Sequence, residues 1–154
     1  MSYCSSLSLV LFVLANSPIS AQGVEFLKYI SGSVASKGPN NQQLTIIFEI
    51  QEGYHIQSDD PKSDTVIPTR ISFDVPPEIE PGAPGFPEAE LMYLEGSEEP
   101  LQVFSGRIEI IVPISYKSPL PQDYQIPGRI YYQACDDKRC FYPRELEFEV
   151  VPDF

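Results

Sequence analysis

The sequence has few cationic side chains, few thiols and almost no histidine. Its 154 residues include 10 Lys and Arg against 22 Asp and Glu, which gives a formal net charge of −12. A chain this acidic is a poor candidate for binding nucleic acid or anionic membrane surfaces. There are three cysteines, and His55 is the only histidine. Because zinc normally takes four ligands, this composition disfavours a zinc site, although the acidic residues suit a harder metal.

Helical periodicity and a nucleotide-binding glycine loop are also missing. No segment of useful length repeats apolar residues at the helical spacing, and the 16 prolines disfavour helices. The alternation typical of strands occurs instead, for example at residues 44–50, 71–75 and 108–114. About seven short strands separated by turn signals predict an all-β sandwich. Residues 31–41 are predicted as a polar turn region, and residues 101–114 as a strand pair or one long bulged strand.

The N-terminus has the pattern of a secretory signal peptide. Residues 1–21 carry no charged side chain, and an apolar core at residues 7–15 precedes Asn16 and several small residues. This core is too short to span a membrane, which takes about 20 apolar residues. We therefore predict a signal peptide at residues 1–21 and one domain at residues 22–154. Cys4 would leave with the peptide, so that the mature chain has two cysteines in an oxidising compartment.

Those two cysteines, Cys135 and Cys140, flank the polar segment at residues 136–139. Residues 130–135 and 145–150 both alternate as strands do, which predicts a β-hairpin with the polar segment as its loop. Opposed residues in an antiparallel pair have Cα atoms about 4.5–5.5 Å apart, inside the range that a disulfide needs.

Three uses of the pair stay open from the residues alone. A structural disulfide across so short a loop would contribute only about 2 kcal/mol by the chain-entropy model. A redox-active pair is the second use, because thiols at an exposed hairpin tip are accessible to another thiolate. A metal site that includes Asp136 and Asp137 is the third and weakest.

The segment around these cysteines, YQACDDKRCFYP at residues 132–143, resembles the active-site segment of the N-terminal periplasmic domain of the thiol:disulfide interchange protein DsbD. Further segments agree with this family in the same order, namely GYHI at residues 53–56, IPT at 67–69, FPE at 86–88 and VFSG at 103–106. Each short element is weak alone, but their order around the cysteine hairpin makes the match fairly specific. Together these segments span nearly the whole predicted mature chain.

The resemblance implies an immunoglobulin-like β-sandwich with a redox-active cysteine pair on a C-terminal β-hairpin, located in the periplasm. In the family, the domain takes electrons from a thioredoxin-like domain. It passes them to disulfide isomerases and to the thioredoxin-like protein of cytochrome c maturation, and no bound cofactor is needed. Some members have five residues between the cysteines, whereas this chain has four. DsbD continues into a membrane domain and a thioredoxin domain, whereas this sequence stops at Phe154, so we expect a separate membrane or thioredoxin-like electron donor.

The resemblance also suggests roles for particular residues. Cys135 is expected to form the mixed disulfide with a partner, and Cys140 to resolve it. Family members carry a cap loop whose aromatic residue shields the cysteines until a partner docks. The apolar segment at residues 90–94 is the candidate for this loop, with Tyr93 as the shielding residue and Met92 beside it.

Three further residues are candidates for supporting roles. Pairing with histidine is a known way to activate a cysteine, and the resemblance places His55 near the hairpin. An ordinary strand residue, packed or hydrogen-bonded near a sheet edge, is the preferred interpretation of His55. Phe141 and Tyr142 are expected to pack beside the disulfide or to form part of a docking surface. The alternative function is a secreted immunoglobulin-like binding module whose disulfide is purely structural.

Overall fold

The chain is built from β-strands in residues 25–117 and 124–151, the residues that the computed structural model describes. These ranges contain no helix, and so none long and apolar enough to cross a membrane. The predicted signal peptide at residues 1–21 and Cys4 lie outside the described residues. The strands are β1 (Leu27–Gly38), β2 (Asn41–Ile50), β3 (His55–Gln57), β4 (Arg70–Phe73), β5 (Ile79–Pro81), β6 (Glu90–Tyr93), β7 (Pro100–Phe104), β8 (Arg107–Tyr116), β9 (Ile126–Tyr132), β10 (Ala134–Cys135) and β11 (Arg144–Val150).

The strands form three antiparallel sheets around one main core. Their orders are β1-β2-β8-β5, β10-β3-β7-β6 and β11-β9-β4. The alternation seen in the sequence decides which side chains enter the core. In β2, every second residue from Gln42 to Ile50 is buried, and in β8 every second residue from Ile108 to Ile114. The all-β sandwich predicted from the sequence is confirmed.

Aromatic side chains fill the part of the core under β9 and β11. The Phe148 ring lies 5.3 Å from Phe48 and 5.5 Å from Tyr29, measured between ring centroids. Gly128 is the register partner of Phe148, and a Cβ at Gly128 would lie only 2.4 Å from that ring. Because Gly128 has no side chain, the Phe148 ring can fill the space above it.

Two local predictions from the sequence are wrong. Residues 31–41 were predicted as a turn region, but β1 continues to Gly38 and only Pro39 and Asn40 form the turn. The outer half of β1 pairs with β2 through its backbone. Its side chains are mostly small or polar and show no apolar alternation. Residues 101–114 form neither a strand pair nor one bulged strand, because β7 and β8 belong to different sheets. Gly106, with a φ of 61°, allows the chain to turn between those sheets.

Candidate functional site

The C-terminal hairpin crosses from one sheet to another, and the cysteine pair lies after this crossing. β9 pairs with β11, with Tyr132 opposite Arg144. One residue later the chain leaves this sheet, because the carbonyl of Gln133 accepts a 3.0 Å hydrogen bond from the backbone N–H of Gln57. Ala134 and Cys135 then pair with β3 in the second sheet.

Cys135 and Cys140 face each other directly at the end of this hairpin and form a disulfide. Their Cα atoms are 3.9 Å apart, closer than the 4.5–5.5 Å expected from regular strand pairing. The loop between them is closed by Asp136, whose backbone N–H donates to the carbonyl of Arg139 at 3.0 Å. The cysteine pair is thus held by a tight polar turn, as the loop composition predicted.

The Asp136 carboxylate organises the same turn. Its Oδ1 accepts hydrogen bonds from the backbone N–H groups of Lys138, at 2.9 Å, and of Arg139, at 2.8 Å. These two bonds hold the pKa of Asp136 below its ordinary value, and the bond from Lys138 has the larger effect. Both backbone bonds therefore favour the charged form of this carboxylate over the protonated form.

The two sulfur-bearing residues differ in exposure. Cys135 is completely buried, whereas Cys140 is partly exposed. Cys140 lines a surface pocket together with Gln133, Arg139, Phe141, Tyr142 and Pro143. A partner can therefore approach the pair from the Cys140 side. The expected order of attack, with Cys135 first, stays a prediction, and Cys140 is the more exposed of the two residues.

A small apolar cluster covers the buried side of the pair. Cys135 packs with Leu101 and Val103, and the partly buried side chains around them are Val66, Met92, Leu94 and Cys140. The segment at residues 90–94, expected to be a loop, contributes an edge strand, β6, to the second sheet. Met92 lies in the cluster, whereas Tyr93 follows on the opposite face of the strand and is 58% exposed. Of the two cap candidates, the structure brings Met92 to the cysteines and leaves Tyr93 at the surface.

His55 lies next to the pair, as the register partner of Cys135 on the neighbouring strand. Opposed residues of an antiparallel pair project from the same face of the sheet. His55 is partly buried, and its Nδ1 atom is buried without a hydrogen-bond partner within the described part of the chain. The histidine is thus in position to interact with the Cys135 side chain.

Phe141 and Tyr142 follow the second cysteine and have different surroundings. Phe141 is partly buried, with its ring centroid 4.7 Å from that of Phe26 and 6.0 Å from that of Tyr54. Arg139 lies over the Phe141 ring at 5.1 Å. Tyr142 is 92% exposed. Phe141 therefore anchors the hairpin, whereas the Tyr142 side chain is available on the surface beside Cys140.

Sequence reasoning missed two glutamines, of which Gln57 contacts the hairpin and Gln133 belongs to it. Gln57 is fully buried, and its Nε2 donates to the Sγ of Cys135 at 3.0 Å. Gln133 joins two segments through its side chain: its Oε1 accepts from the N–H of Ile67 at 2.8 Å, and its Nε2 donates to the carbonyl of Phe141 at 2.9 Å. The alternation His55–Ile56–Gln57 would have placed Gln57 on the same strand face as His55.

The described residues do not assemble a metal centre. Within residues 25–117 and 124–151, no three His, Cys, Asp or Glu side chains group closely enough to hold an ion. The two cysteines are bonded to each other, which leaves no free thiolate as a ligand in this state.

The fold and the site define an immunoglobulin-like β-sandwich with a half-accessible disulfide on its C-terminal hairpin. Residues 29–152 match the family model described as "Thiol:disulfide interchange protein DsbD, N-terminal", and the chain therefore belongs to this family. No curated protein matches the chain significantly.

Two solved structures resemble the chain at low sequence identity. The N-terminal domain of DsbD from Neisseria meningitidis, in the reduced form, is 17% identical, with a TM-score of 0.48 over 80% of this chain and 84% of that one. The N-terminal periplasmic domain of ScsB from Proteus mirabilis is 10% identical, with a TM-score of 0.55 over 78% of this chain and 43% of that one. The likeness to ScsB supports the fold.

Proposed function

We propose that this protein is a periplasmic thiol:disulfide exchange domain in which Cys135 and Cys140 cycle between disulfide and dithiol. The observation that carries the proposal is the asymmetry of the pair. Cys140 lies at a surface pocket, while Cys135 is buried behind it and receives a hydrogen bond from Gln57. A disulfide with one sulfur at the surface and a supported leaving group behind it suits exchange chemistry.

In the reducing half of the cycle, the thiolate of an electron donor attacks the Sγ of Cys140. A new S–S bond forms between donor and Cys140, the Cys135–Cys140 bond breaks, and its electron pair stays on the Sγ of Cys135. A second thiolate of the donor then attacks the donor sulfur of this mixed disulfide. The donor leaves as a disulfide and the Cys140 thiolate is released. The domain now holds the dithiol and the donor has lost two electrons.

In the oxidising half, the Cys140 thiolate attacks a disulfide of the recipient protein, and Cys135 then displaces the recipient from the mixed disulfide. This order differs from the one that the family resemblance suggests, in which Cys135 forms the mixed disulfide. Burial of Cys135 is the reason for the reassignment, because attack at a sulfur needs an open approach to that sulfur.

The partners that we propose are thioredoxin-like proteins and disulfide isomerases as recipients, including the thioredoxin-like protein of cytochrome c maturation. A membrane or thioredoxin-like donor would supply the electrons. Family membership supports thioredoxin-like proteins as a partner class. The relative from Proteus mirabilis is described as a periplasmic domain, which supports the same compartment for this chain. The exposed Tyr142 beside Cys140 provides an aromatic contact for a docking partner.

The reduction potential of the pair tests this function. The domain is equilibrated in graded dithiol buffers under native conditions, and the free thiols are trapped and counted. A potential of about −180 to −270 mV, the range of catalytic pairs, is the expected result. A potential below about −300 mV, with thiols that form only after unfolding, would instead show the structural disulfide of a binding module.

A further inference from the structure

Gln57 is a buried polar side chain whose amide points at the disulfide. Its side chain is fully buried in β3, on the same strand face as His55. The Nε2 atom lies 3.0 Å from the Sγ of Cys135 and 3.6 Å from the Sγ of Cys140. The Oε1 atom is also buried and has no hydrogen-bond partner among the described residues. A glutamine held in this way carries an unmet desolvation cost that needs an explanation.

A disulfide sulfur is only a weak acceptor, so the oxidised protein gains little from this amide. The situation changes when the S–S bond breaks with its electrons on Cys135. A thiolate formed in a fully buried position is strongly disfavoured unless a donor reaches it. Hydrogen bonds to an ionised acceptor are roughly twice as strong as neutral ones. The Gln57 amide is already within hydrogen-bond distance of the sulfur where this charge develops.

We propose that Gln57 is a catalytic residue that stabilises the Cys135 thiolate during exchange. The inference rests on the proposed function. When a partner thiolate bonds to the Sγ of Cys140 and the Cys135–Cys140 bond breaks, the electron pair collects on the Sγ of Cys135. The Nε2–H of Gln57 donates to that sulfur throughout, and no proton is transferred in the step. The same bond holds the Cys135 thiolate ready to attack the mixed disulfide when the cycle runs in the other direction.

The charged side chains of the loop between the cysteines do not take the place of this donor. Lys138 and Arg139 are exposed on the loop beyond Cys135, and Asp136 and Asp137 in the same loop offset their charge. His55 faces Cys135 from the neighbouring strand. In the described part of the chain, Gln57 is the one side chain that donates a hydrogen bond to the Cys135 sulfur. Removing its N–H group should therefore affect the thiolate directly.

The test substitutes Gln57→Met, which keeps the length of the side chain and removes the donor. The matched control is Gln42→Met. Gln42 is also a buried glutamine with an unpartnered Oε1, but it lies on β2 in the first sheet. We measure the rate constant for reduction of the native disulfide by glutathione, and the pKa of Cys135 in a Cys140→Ser background from thiolate ultraviolet absorbance. Gln57→Met should slow reduction about tenfold and raise the Cys135 pKa by about one unit, the expected effect of one hydrogen bond to a charged group.

The outcomes separate this inference from the proposed function. If the wild-type pair is reduced but Gln57→Met and Gln42→Met have the same rate and the same Cys135 pKa as wild type, the role of Gln57 is overturned and the function stands. If the native wild-type disulfide resists reduction altogether, both fall. Should Gln57→Met fail to fold, the side-chain amide resonance of Gln57 in the wild-type protein decides the matter. The chemical shift of this resonance should change when the disulfide is reduced, and in the reduced protein it should change with pH as Cys135 titrates. A chemical shift that responds neither to reduction nor to the titration of Cys135 contradicts the proposal.

Discussion

The backbone N–H of Glu95 donates a 2.7 Å hydrogen bond to the carbonyl of Asp137. This bond ties the turn after β6 to the loop between the two cysteines. Met92 and Leu94, on the same segment, pack against the cluster that contains Cys135. The segment therefore covers the buried side of the disulfide and is fixed to the loop that carries it.

Shortening Met92 should loosen this cover. Met92→Ala removes apolar contacts beside Cys135, so we expect a loss of about 1 kcal/mol in the free energy of unfolding. If the same loosening exposes the disulfide, its reduction by glutathione should become about fivefold faster, the factor that corresponds to 1 kcal/mol. Leu91→Ala is the control, because Leu91 is the neighbouring residue on β6 and is 62% exposed. Equal rates for the two variants would show that Met92 does not shield the pair.

The Asp136 turn should give the hairpin a measurable pH dependence. Hydrogen bonds from the backbone of Lys138 and Arg139 lower the pKa of Asp136 in the folded protein. A carboxyl group with a lowered folded pKa stabilises the fold above its unfolded pKa, and this contribution is lost as the pH falls through the folded pKa. The difference in free energy of unfolding between wild type and Asp136→Ala should thus be full at neutral pH and shrink in acid.

Urea unfolding at a series of pH values measures this difference. Asp137→Ala is the matched control. It removes a carboxylate from the same loop but keeps the two hydrogen bonds to the Asp136 carboxylate. We expect Asp137→Ala to destabilise the protein less at neutral pH. A difference for Asp136→Ala that stays constant into the acid range would contradict the role of the charged carboxylate.

Gly128 should tolerate no side chain. A Cβ at this position would lie 2.4 Å from the Cζ of Phe148, in the aromatic part of the core. Gly128→Ala is therefore expected to lower the free energy of unfolding by about 1–3 kcal/mol through overpacking. At Gly85 the nearest atom to an added Cβ is 3.6 Å away, so Gly85→Ala should change stability by about 0.5 kcal/mol or less. Similar stabilities of the two variants in urea unfolding would show that the core adapts to the extra methyl group.

The sequence predicted the parts of the fold in which side-chain alternation reports burial. The central strands β2 and β8 follow their apolar pattern closely. The outer half of β1 could not be found in this way, because its side chains are mostly small or polar and largely exposed, although its backbone pairs with β2. Nothing in the side-chain pattern predicts that β7 and β8 belong to different sheets. The one local sign is Gly106, where the chain turns between the sheets.

At the site, the sequence identified the cysteine pair but not the difference in exposure between Cys135 and Cys140. The residues around Cys135 and Cys140 are symmetrical in character, with aromatic side chains on both sides. What makes them different is the crossing of the chain after Tyr132, which pairs Cys135 with His55 inside the second sheet. Gln57 was missed for the same reason, because its distance from the disulfide depends on which strand lies next to β10. Sheet order is a long-range property that one sequence does not display.

The most direct test of the account asks which cysteine exchanges with a partner in the folded protein. In the segment at residues 22–154, which does not contain Cys4, the variants Cys135→Ser and Cys140→Ser each keep one cysteine. Each variant is reacted with a thioredoxin-like protein whose one cysteine is activated as an aromatic mixed disulfide. Cys135→Ser, which keeps Cys140, should form the protein–protein disulfide at least about tenfold faster, since a buried thiol must wait for local opening. Faster reaction of Cys140→Ser, or no reaction of either folded variant, would contradict the assignment of Cys140 as the exchanging residue of this domain.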